Sequence, residues 1–478
     1  MSENQVISAW EQDPGMGNSP YGGPVIRRPP PDVRKPPLPT RIDGDAPRAD
    51  NYKPGTVGFR YWACADALRR TSDFWGSVLG PNARWNPQVG DVLPVILDEG
   101  VDLNAYYDRQ ALNFFHASVG DRMVYSGESP DIVCHEFGHA VLDAVRPQLW
   151  DVASFEPPAF HESFGDMSAI LTALELPSVR AAVLQETGSV LYRSSRLSRL
   201  AEQLGWAIRQ RHPDDVDADC LRNAVNQLFY QNPDNLPTFA PASQLCSEPH
   251  SFSRVFTAGF FHSLAMMFAA SGSRTETDLL EVSRALASLL ARAIRISPVV
   301  PEYYAQIAAH MVKLAGPKYE GAIKAAMVRH GILSVPGAAL VAAESAAETE
   351  SAERTAVGMA PAEAPAPPLQ ELDVSGYGLT VKKIQAVVAG ENKRFRIAGA
   401  APTAGDAPSV SGQDAARDFL EDLVRRGRLD HGKFADAKTA VVDPFTFKTH
   451  VLAQEKDQVV LRRVRIDCGF RKNARPQP

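Results

Sequence analysis

The spacing of apolar residues predicts short strands early in the chain and helices over most of its middle. The segment 131–145, DIVCHEFGHAVLDAV, repeats apolar residues at helical spacing. Just upstream, Ser129 suits the N-cap, Pro130 suits the first helical position, and Asp131 is an acid near the positive end of the helix dipole. Helical spacing recurs at 159–175, 195–211, 217–231, 250–271, 275–296, 301–315 and 317–332. Before these helices, LPVILDEG, LNAYYD and DRMVYSG alternate as strands do, so we expect an α+β fold.

Two histidines in the first of these helices, His135 and His139, have the spacing of metal ligands. Side chains four residues apart project from the same face of a helix, one turn apart. Such a pair supplies two nitrogen ligands for a tetrahedral Zn²⁺, and Glu136, about 100° around the helix, is placed to reach a water at the metal. Because so short a pattern also arises by chance, a metal-free surface helix is the alternative.

The next amphipathic helix, which begins near Pro158, offers a third ligand. A catalytic zinc takes three protein ligands and keeps one open position. Glu162 follows His139 by 23 residues, which leaves room for a turn and an antiparallel return. Asp166 lies one turn further on the same face, where it can accept the free N–H of a ligating imidazole. His161 is a competing ligand that points about 100° away from Glu162, and two ordinary solvated acids are the alternative for this helix.

HEFGHAVLD followed by HESFGD resembles the thermolysin and fungalysin group of zinc metallopeptidases, the gluzincins. The resemblance covers about residues 55–335. It implies a two-lobed zincin, with a small β-containing amino-terminal lobe, a helical carboxyl-terminal lobe and one Zn²⁺ between them. It further implies that His135, His139 and Glu162 hold the zinc, and that Glu136 is the general base in hydrolysis of a peptide or protein substrate.

Two other segments resemble substrate-binding parts of the same group. Asn104 and Ala105, within LNAYYD, match the edge strand that binds substrate backbone in that group. His250, within CSEPHSFS, matches the histidine that stabilises the tetrahedral intermediate. The alternative for His250 is a capping or surface histidine.

The chain also departs from the group. Where the group usually has a tyrosine between the two zinc helices, this chain has Trp150 and Phe155. The acid that commonly precedes the catalytic histidine by five residues is replaced by Leu245, and Glu248 is the nearest carboxylate. The missing tyrosine, and an amino-terminal region of about 55 residues that is too short for the propeptide domain of the group, favour an alternative function, a catalytically weak, zinc-stabilised binding or scaffold protein. The intact general-base position, Glu136, favours an enzyme. Asp131 stands at a frequent calcium-ligand position, but no matching acidic cluster follows the second helix, so calcium is not expected.

Composition and charge limit the partners and the cellular location that we expect for this protein. A net charge of −6 over 478 residues gives no reason to expect nucleic acid or an anionic membrane surface as a partner. No apolar run reaches the length needed to span a bilayer, and the stretch FTAGFFHSLAMMFAA is interrupted by His262 and too short. The first residues lack the basic and apolar regions of a secretory signal, so we expect a cytoplasmic protein, with export by another route left open. Five cysteines without close pairing suit a reduced compartment, and we expect Cys134 to lie in the core.

Shifts in composition divide the chain further. Residues 1–54 are rich in proline and glycine and are expected to be disordered. Within them, residues 29–41 include a PxxPxR pattern that either binds a partner as a polyproline helix or is a stiff solvated leader. An Ala/Glu/Pro linker is predicted over 336–369. Residues 370–478 alternate strand-like and helical patterns, which predicts a small α+β domain for substrate docking or partner binding.

Overall fold

The computed structural model describes residues 6–15, 21–334, 366–390, 411–435 and 448–469. The described part combines helices with several small sheets, which confirms the predicted mixed α+β class. Most of the predicted linker, residues 336–365, lies outside the described residues.

Short strands and one long helix form the first part of the fold. They are β1 (Ile7–Trp10), β2 (Val25–Arg28), β3 (Thr40–Ile42), α1 (Val57–Leu79), β4 (Leu93–Ile96), β5 (Ala105–Tyr107), β6 (Leu112–Phe114), β7 (His116–Val119) and β8 (Arg122–Tyr125). A five-stranded sheet has the order β16-β5-β6-β4-β3, in which β16 (Ile466–Asp467) comes from far along the chain. β3, β4 and β6 are parallel, whereas β5 runs antiparallel to β6 and β16 antiparallel to β5.

The following part is mostly helical. Its elements are α2 (Pro130–Val145), α3 (Glu156–Ala173), α4 (Pro177–Thr187), β9 (Arg199–Leu200), α5 (Glu202–Arg209), β10 (Arg222–Asn223), α6 (Pro249–Ala269), α7 (Glu276–Ile296) and α8 (Tyr303–Arg329). As predicted, the Ser129 side chain caps α2 by accepting from the Ile132 N–H. α8 is broken at Gly316, whose φ of 62° is non-helical, and Pro317 follows. The predicted division between the helices 301–315 and 317–332 is therefore confirmed.

The helix predicted over 217–231 is wrong. This segment contains β10 and otherwise irregular backbone. Its polar side chains are used in long-range contacts, since Arg222 binds Asp166 and Asn226 donates to the Arg254 carbonyl. Tertiary contacts thus override a local helical pattern.

Two glycines allow α2 and α3 to pack closely. A Cβ on Gly138 would lie 2.9 Å from Ser168 Cβ, and a Cβ on Gly165 would lie 2.6 Å from the His135 ring. Glycine weakens a helix interior by about 0.5–1 kcal/mol relative to alanine. Here the absence of a side chain brings the two helices, and the polar groups they carry, within direct contact.

The carboxyl-terminal part forms a second sheet with one helix against it. The elements are β11 (Leu369–Asp373), β12 (Lys383–Val387), α9 (Gly412–Arg425), β13 (Leu429–Asp430), β14 (His450–Glu455) and β15 (Gln458–Arg463), with sheet order β11-β12-β15-β14-β13. Its core includes Phe419 and also Phe155, which comes from the segment before α3. The predicted small α+β unit therefore packs on the helical part. β16 leaves this unit and joins the first sheet, which the sequence did not predict.

The disorder expected for residues 1–54 is wrong over 6–15 and 21–54. β1 packs on α1, with Trp10 edge-on to Phe59 at a ring distance of 5.4 Å. Asp13 accepts from the Ser129 hydroxyl and from the Gln203 N–H. A segment rich in proline and glycine rarely forms a hydrophobic core of its own. A few apolar residues are nevertheless enough to order such a segment when they pack into the core of the rest of the protein.

The polyproline segment is part of the same packing. Leu38 is fully buried, and its N–H and carbonyl both bond to the Ser72 hydroxyl. The Trp85 indole donates to the Pro39 carbonyl at 2.7 Å. The backbone of Leu38 and Pro39 is therefore engaged within the protein, and partner binding through residues 29–41 stays a prediction.

No single helix in the described ranges combines the length and apolar composition needed to cross a bilayer, and the one pair that passes jointly, α3 with α4, is bent by 101°.

The burial of Trp10 leads to a test of the amino-terminal packing. Trp10→Ala removes a side chain that is 2% exposed, and we expect a loss of about 3–5 kcal/mol in the free energy of unfolding. Urea unfolding of the purified protein measures this change. Val57→Ala, at a residue that is 69% exposed, is the control and should change stability by less than about 0.5 kcal/mol. Equal effects of the two substitutions would show that the amino-terminal segment is not packed as described.

Candidate metal centre

α2 and α3 bring the three residues of the predicted ligand set together. His135 Nε2 lies 3.4 Å from one carboxylate oxygen of Glu162, and His139 Nε2 lies 3.8 Å from the other. All three side chains are almost completely buried. Imidazole nitrogens and carboxylate oxygens at this spacing, away from solvent, are donors of the kind that zinc takes in proteins.

The other ring nitrogen of His135 is held by a carboxylate. His135 Nδ1 is 3.0 Å from Asp166 Oδ1, which is the arrangement expected from the sequence. Asp166 in turn accepts two hydrogen bonds from the Arg222 guanidinium, at 2.7 and 3.1 Å. Burial would raise the pKa of Asp166, but Arg222 and His135 lower it below its usual range. The carboxylate therefore stays ionised and fixes the orientation of the imidazole.

The electrostatic surroundings of the histidines favour a cation. Burial opposes protonation of His135, yet the carboxylates of Asp166 and Glu162 raise its pKa to about 9. His139 differs, because burial lowers its pKa to about 3 and keeps it neutral. Burial also works against the charge on Glu162, but His250 and the two α2 histidines lower its pKa to about 2. Two buried carboxylates thus remain negative beside nitrogen donors.

Glu136 is buried next to this donor group. No nitrogen or hydroxyl group in the described part of the chain donates to its carboxylate oxygens, and its hydrogen-bonding neighbour is the Cys468 thiol, a weak donor. Burial raises the pKa of Glu136 to about 8, against the opposing effect of His135. An ionisable group with a pKa near neutrality can both accept and release a proton.

His250 faces the group from the start of α6. Its Nε2 lies 3.2 Å from Glu162 Oε2, and its Nδ1 lies 2.6 Å from Glu248 Oε1. Glu248 also caps α6 by accepting from the Ser251 N–H. Burial lowers the pKa of His250, but the carboxylates of Glu162 and Glu248 outweigh it, and the net shift is upward. His250 is therefore a partly buried histidine whose orientation is fixed by the carboxylates of Glu162 and Glu248.

Cys468 completes the cluster. Its Sγ is 3.2 Å from His139 Nε2 and 3.4 Å from His135 Nε2. The two oxygens of Glu162 are 3.8 and 3.9 Å from the same sulfur. Cys468 therefore belongs to two groups that could hold a metal ion, one with His135, Glu136 and His139 and one with Glu162 and His250, although it follows His139 by 329 residues.

The predicted substrate-binding residues lie directly beside Cys468. The Cys468 N–H donates to the Ala105 carbonyl at 3.0 Å, which continues the β16–β5 pairing. Asn104 is fully buried, and neither atom of its side-chain amide has a hydrogen-bond partner among the described residues. The edge of β5 is thus paired with β16, while the side-chain amide of Asn104 beside it has no partner among the described residues.

A cavity of about 160 Å³ opens beside the centre. Its lining includes Glu162 and His250 from the donor cluster, and Phe419 and Arg426 from the carboxyl-terminal unit. This cavity is therefore large enough to hold a ligand bigger than a water molecule next to Glu162 and His250.

Sequence reasoning missed two members of this site. Arg222 lay in a segment predicted to be helical, and Cys468 was one of five unpaired cysteines with no local motif. In neither case do the neighbouring residues form a motif that indicates a metal site. Cys134 accepts a hydrogen bond from Thr71 within the core, as expected. The competing histidine, His161, is buried but lies outside the donor groups of the described residues.

The contact between Arg222 and Asp166 predicts how metal affinity depends on a residue that does not touch the metal. Arg222→Met should lower the affinity for Co²⁺ by about 10–100-fold, because Asp166 then loses the partner that fixes His135. Competition with a chromophoric chelator measures this affinity. Arg284→Met breaks a similar bidentate pair with Glu175 on the surface and should leave it unchanged. A loss of the same size in both variants would contradict the proposed role of Arg222.

Comparison of the chain with models of known protein families gives no match, and comparison with curated proteins gives none. The resemblance to the gluzincins therefore rests on the motif residues, and the family stays a prediction.

Proposed function

We propose that this protein is a zinc-dependent endopeptidase with a thermolysin-like catalytic region. The observation that carries the proposal is the fully buried carboxyl group of Glu136, which lies beside a three-residue donor set and has the Cys468 thiol as its hydrogen-bonding neighbour. A structural metal site has no use for such a group, because burying a carboxyl against a thiol, which is only a weak donor, destabilises the fold. An enzyme that must take a proton from water has a direct use for it.

The donor set supports zinc in particular. Two imidazoles and a carboxylate are the ligands of a common class of catalytic zinc sites. Ligands about 2.0–2.3 Å from a tetrahedral zinc are roughly 3.3–3.8 Å from one another. The measured separations of 3.4 and 3.8 Å between the imidazole nitrogens and Glu162 agree with this spacing.

Each residue then has a defined part in peptide hydrolysis. Zinc held by His135, His139 and Glu162 would polarise the peptide carbonyl and lower the pKa of water. Glu136 accepts the proton of the attacking water and passes it to the leaving amine. His250, oriented by Glu248, donates to the oxygen on which negative charge develops, a contribution typically worth about 10²–10³ in rate.

The edge of β5 supports a peptide as the substrate. An extended segment already pairs with this strand, and its backbone N–H bonds to the Ala105 carbonyl. Peptides commonly bind by adding a strand to a sheet edge in this way. Asn104 offers a further donor and acceptor to the same backbone.

A zinc-stabilised binding protein without turnover is the second candidate. The observation that favours it is Cys468, because a fourth protein ligand is typical of closed, structural zinc sites. A fluorogenic peptide assay with and without a chelator separates the two candidates. An enzyme hydrolyses the peptide at a measurable rate that falls when the chelator removes the metal, whereas a binding protein hydrolyses no peptide under either condition.

Metal content tests the ligand assignment. Elemental analysis of protein purified without added metal should find about one zinc per chain. His139→Ala should abolish stable binding, whereas His161→Ala, a buried histidine outside the donor groups, should retain it. A zinc content below about a tenth of an equivalent, with no uptake of added Zn²⁺, would contradict the assignment.

Substitution of the general base tests the chemistry. Glu136→Gln keeps the shape of the side chain and removes its basicity, so zinc should stay bound while kcat falls by about 10²–10⁴. Peptide turnover and zinc content are measured on the same preparation. If this variant cleaves peptides at the wild-type rate, Glu136 is not the base.

A further inference from the structure

The segment 463–469 leaves the carboxyl-terminal unit and runs across the metal centre. Arg463 fixes its start, because its backbone N–H donates to Asp151 and its guanidinium donates to the Trp150 carbonyl. The chain then enters the first sheet as β16, in which Ile466 lies opposite Tyr107. It therefore occupies the backbone edge to which we assigned the substrate.

A network of charges shapes the segment where it reaches the donors. Asp467 is buried and pairs with Arg428 at 3.1 Å and with Arg465 at 3.6 Å. Its carboxylate also accepts from the Gly469 N–H. These contacts bend the backbone around Cys468, so the thiol is directed at the imidazoles rather than at solvent.

The position of the Cys468 sulfur is that of a fourth ligand. Its distances to the two imidazole nitrogens, 3.2 and 3.4 Å, match those between the imidazoles and Glu162. Thiolate is a preferred zinc ligand, at about 2.3 Å from the metal. A sulfur bound there takes the position that water or a peptide carbonyl needs.

The fit of the segment over Asn104 is close but chemically incomplete. A Cβ on Gly469 would lie only 2.4 Å from Asn104 Cγ, so only glycine allows this approach. The amide beneath it nevertheless has no hydrogen-bond partner among the residues that the structure describes. A substrate backbone that satisfied Asn104 would have an advantage over the segment, which makes the segment displaceable.

We propose that residues 466–469 are a built-in inhibitor of the metal centre, in which Cys468 is the fourth zinc ligand and β16 occupies the peptide-binding edge. This inference rests on the proposed peptidase function. The metal site is blocked while residues 466–469 are in place. It can bind and hydrolyse a peptide once the Cys468 sulfur leaves the zinc and β16 separates from β5. This role explains why the site has both a fourth protein ligand, Cys468, and the general base Glu136.

Cys468→Ser in the full-length chain tests the ligand directly. After exchange of zinc for Co²⁺, the wild type should show sulfur-to-cobalt charge-transfer absorption, and the variant should lack it. Cys246→Ser, at a buried cysteine outside the donor groups of the described residues, is the control and should keep the absorption. Absorption that persists in Cys468→Ser would overturn the proposal.

Occupancy of the cleft is measured with a peptide hydroxamate, a metal-binding peptide that requires no turnover. Its affinity should rise by at least about tenfold in Cys468→Ser, because an internal competitor lowers apparent affinity by the fraction of chains that are open. Gly469→Val, which leaves the thiol intact and clashes with Asn104, should give a rise in the same direction. Unchanged affinity in both variants would overturn the proposal.

Turnover separates this inference from the function on which it rests. Cys468→Ser should hydrolyse a fluorogenic peptide at least about tenfold faster than the wild type, and the added Glu136→Gln substitution should abolish that gain. If the wild type is already as fast, the inhibitory role is wrong and the peptidase stands. If hydroxamate binding rises but no variant hydrolyses any peptide, the cleft is blocked as proposed and the peptidase function is wrong.

Discussion

The close packing of α2 against α3 is the constraint on which the site depends. His135 and His139 come from one helix, and Glu162 and Asp166 from the other. Because each helix carries a glycine at the contact, the imidazoles and carboxylates meet within 3–4 Å. Larger residues there would separate the donors before they altered the fold elsewhere.

That packing gathers charge that the interior must compensate. Glu162 and Asp166 are buried and Glu248 is partly buried, and all three stay ionised because each has a cationic partner within hydrogen-bond distance. Arg222 and His250 supply part of this compensation from separate elements. A divalent ion between the α2 and α3 donors would supply the rest, so the electrostatics of the core and the affinity for metal have the same origin.

The features that could be predicted from the sequence are those encoded within a few residues. The His135–His139 pair, the Ser129 cap and the break at Gly316 all follow from helical periodicity and backbone preference. Arg222 could not be predicted, because it meets Asp166 across 56 residues and its own segment has a helical pattern. The amino-terminal strand β1 could not be predicted either, because residues 1–54 as a whole are poor in apolar residues and the core that buries β1 is supplied by α1.

The pairing of β16 with β5 has a consequence for how the chain is made. Ribosomes add about 5–20 residues per second, so β5 is complete roughly 20–70 s before β16 is synthesised. During that interval the sheet has an open edge beside the donors, and an unpaired edge strand is a site where other extended chains attach. His135, His139 and Glu162 all precede Cys468 in the chain. Under the inhibitory role that we propose for Cys468, metal would enter the nascent site before the thiol is synthesised, and the site would close when β16 pairs with β5.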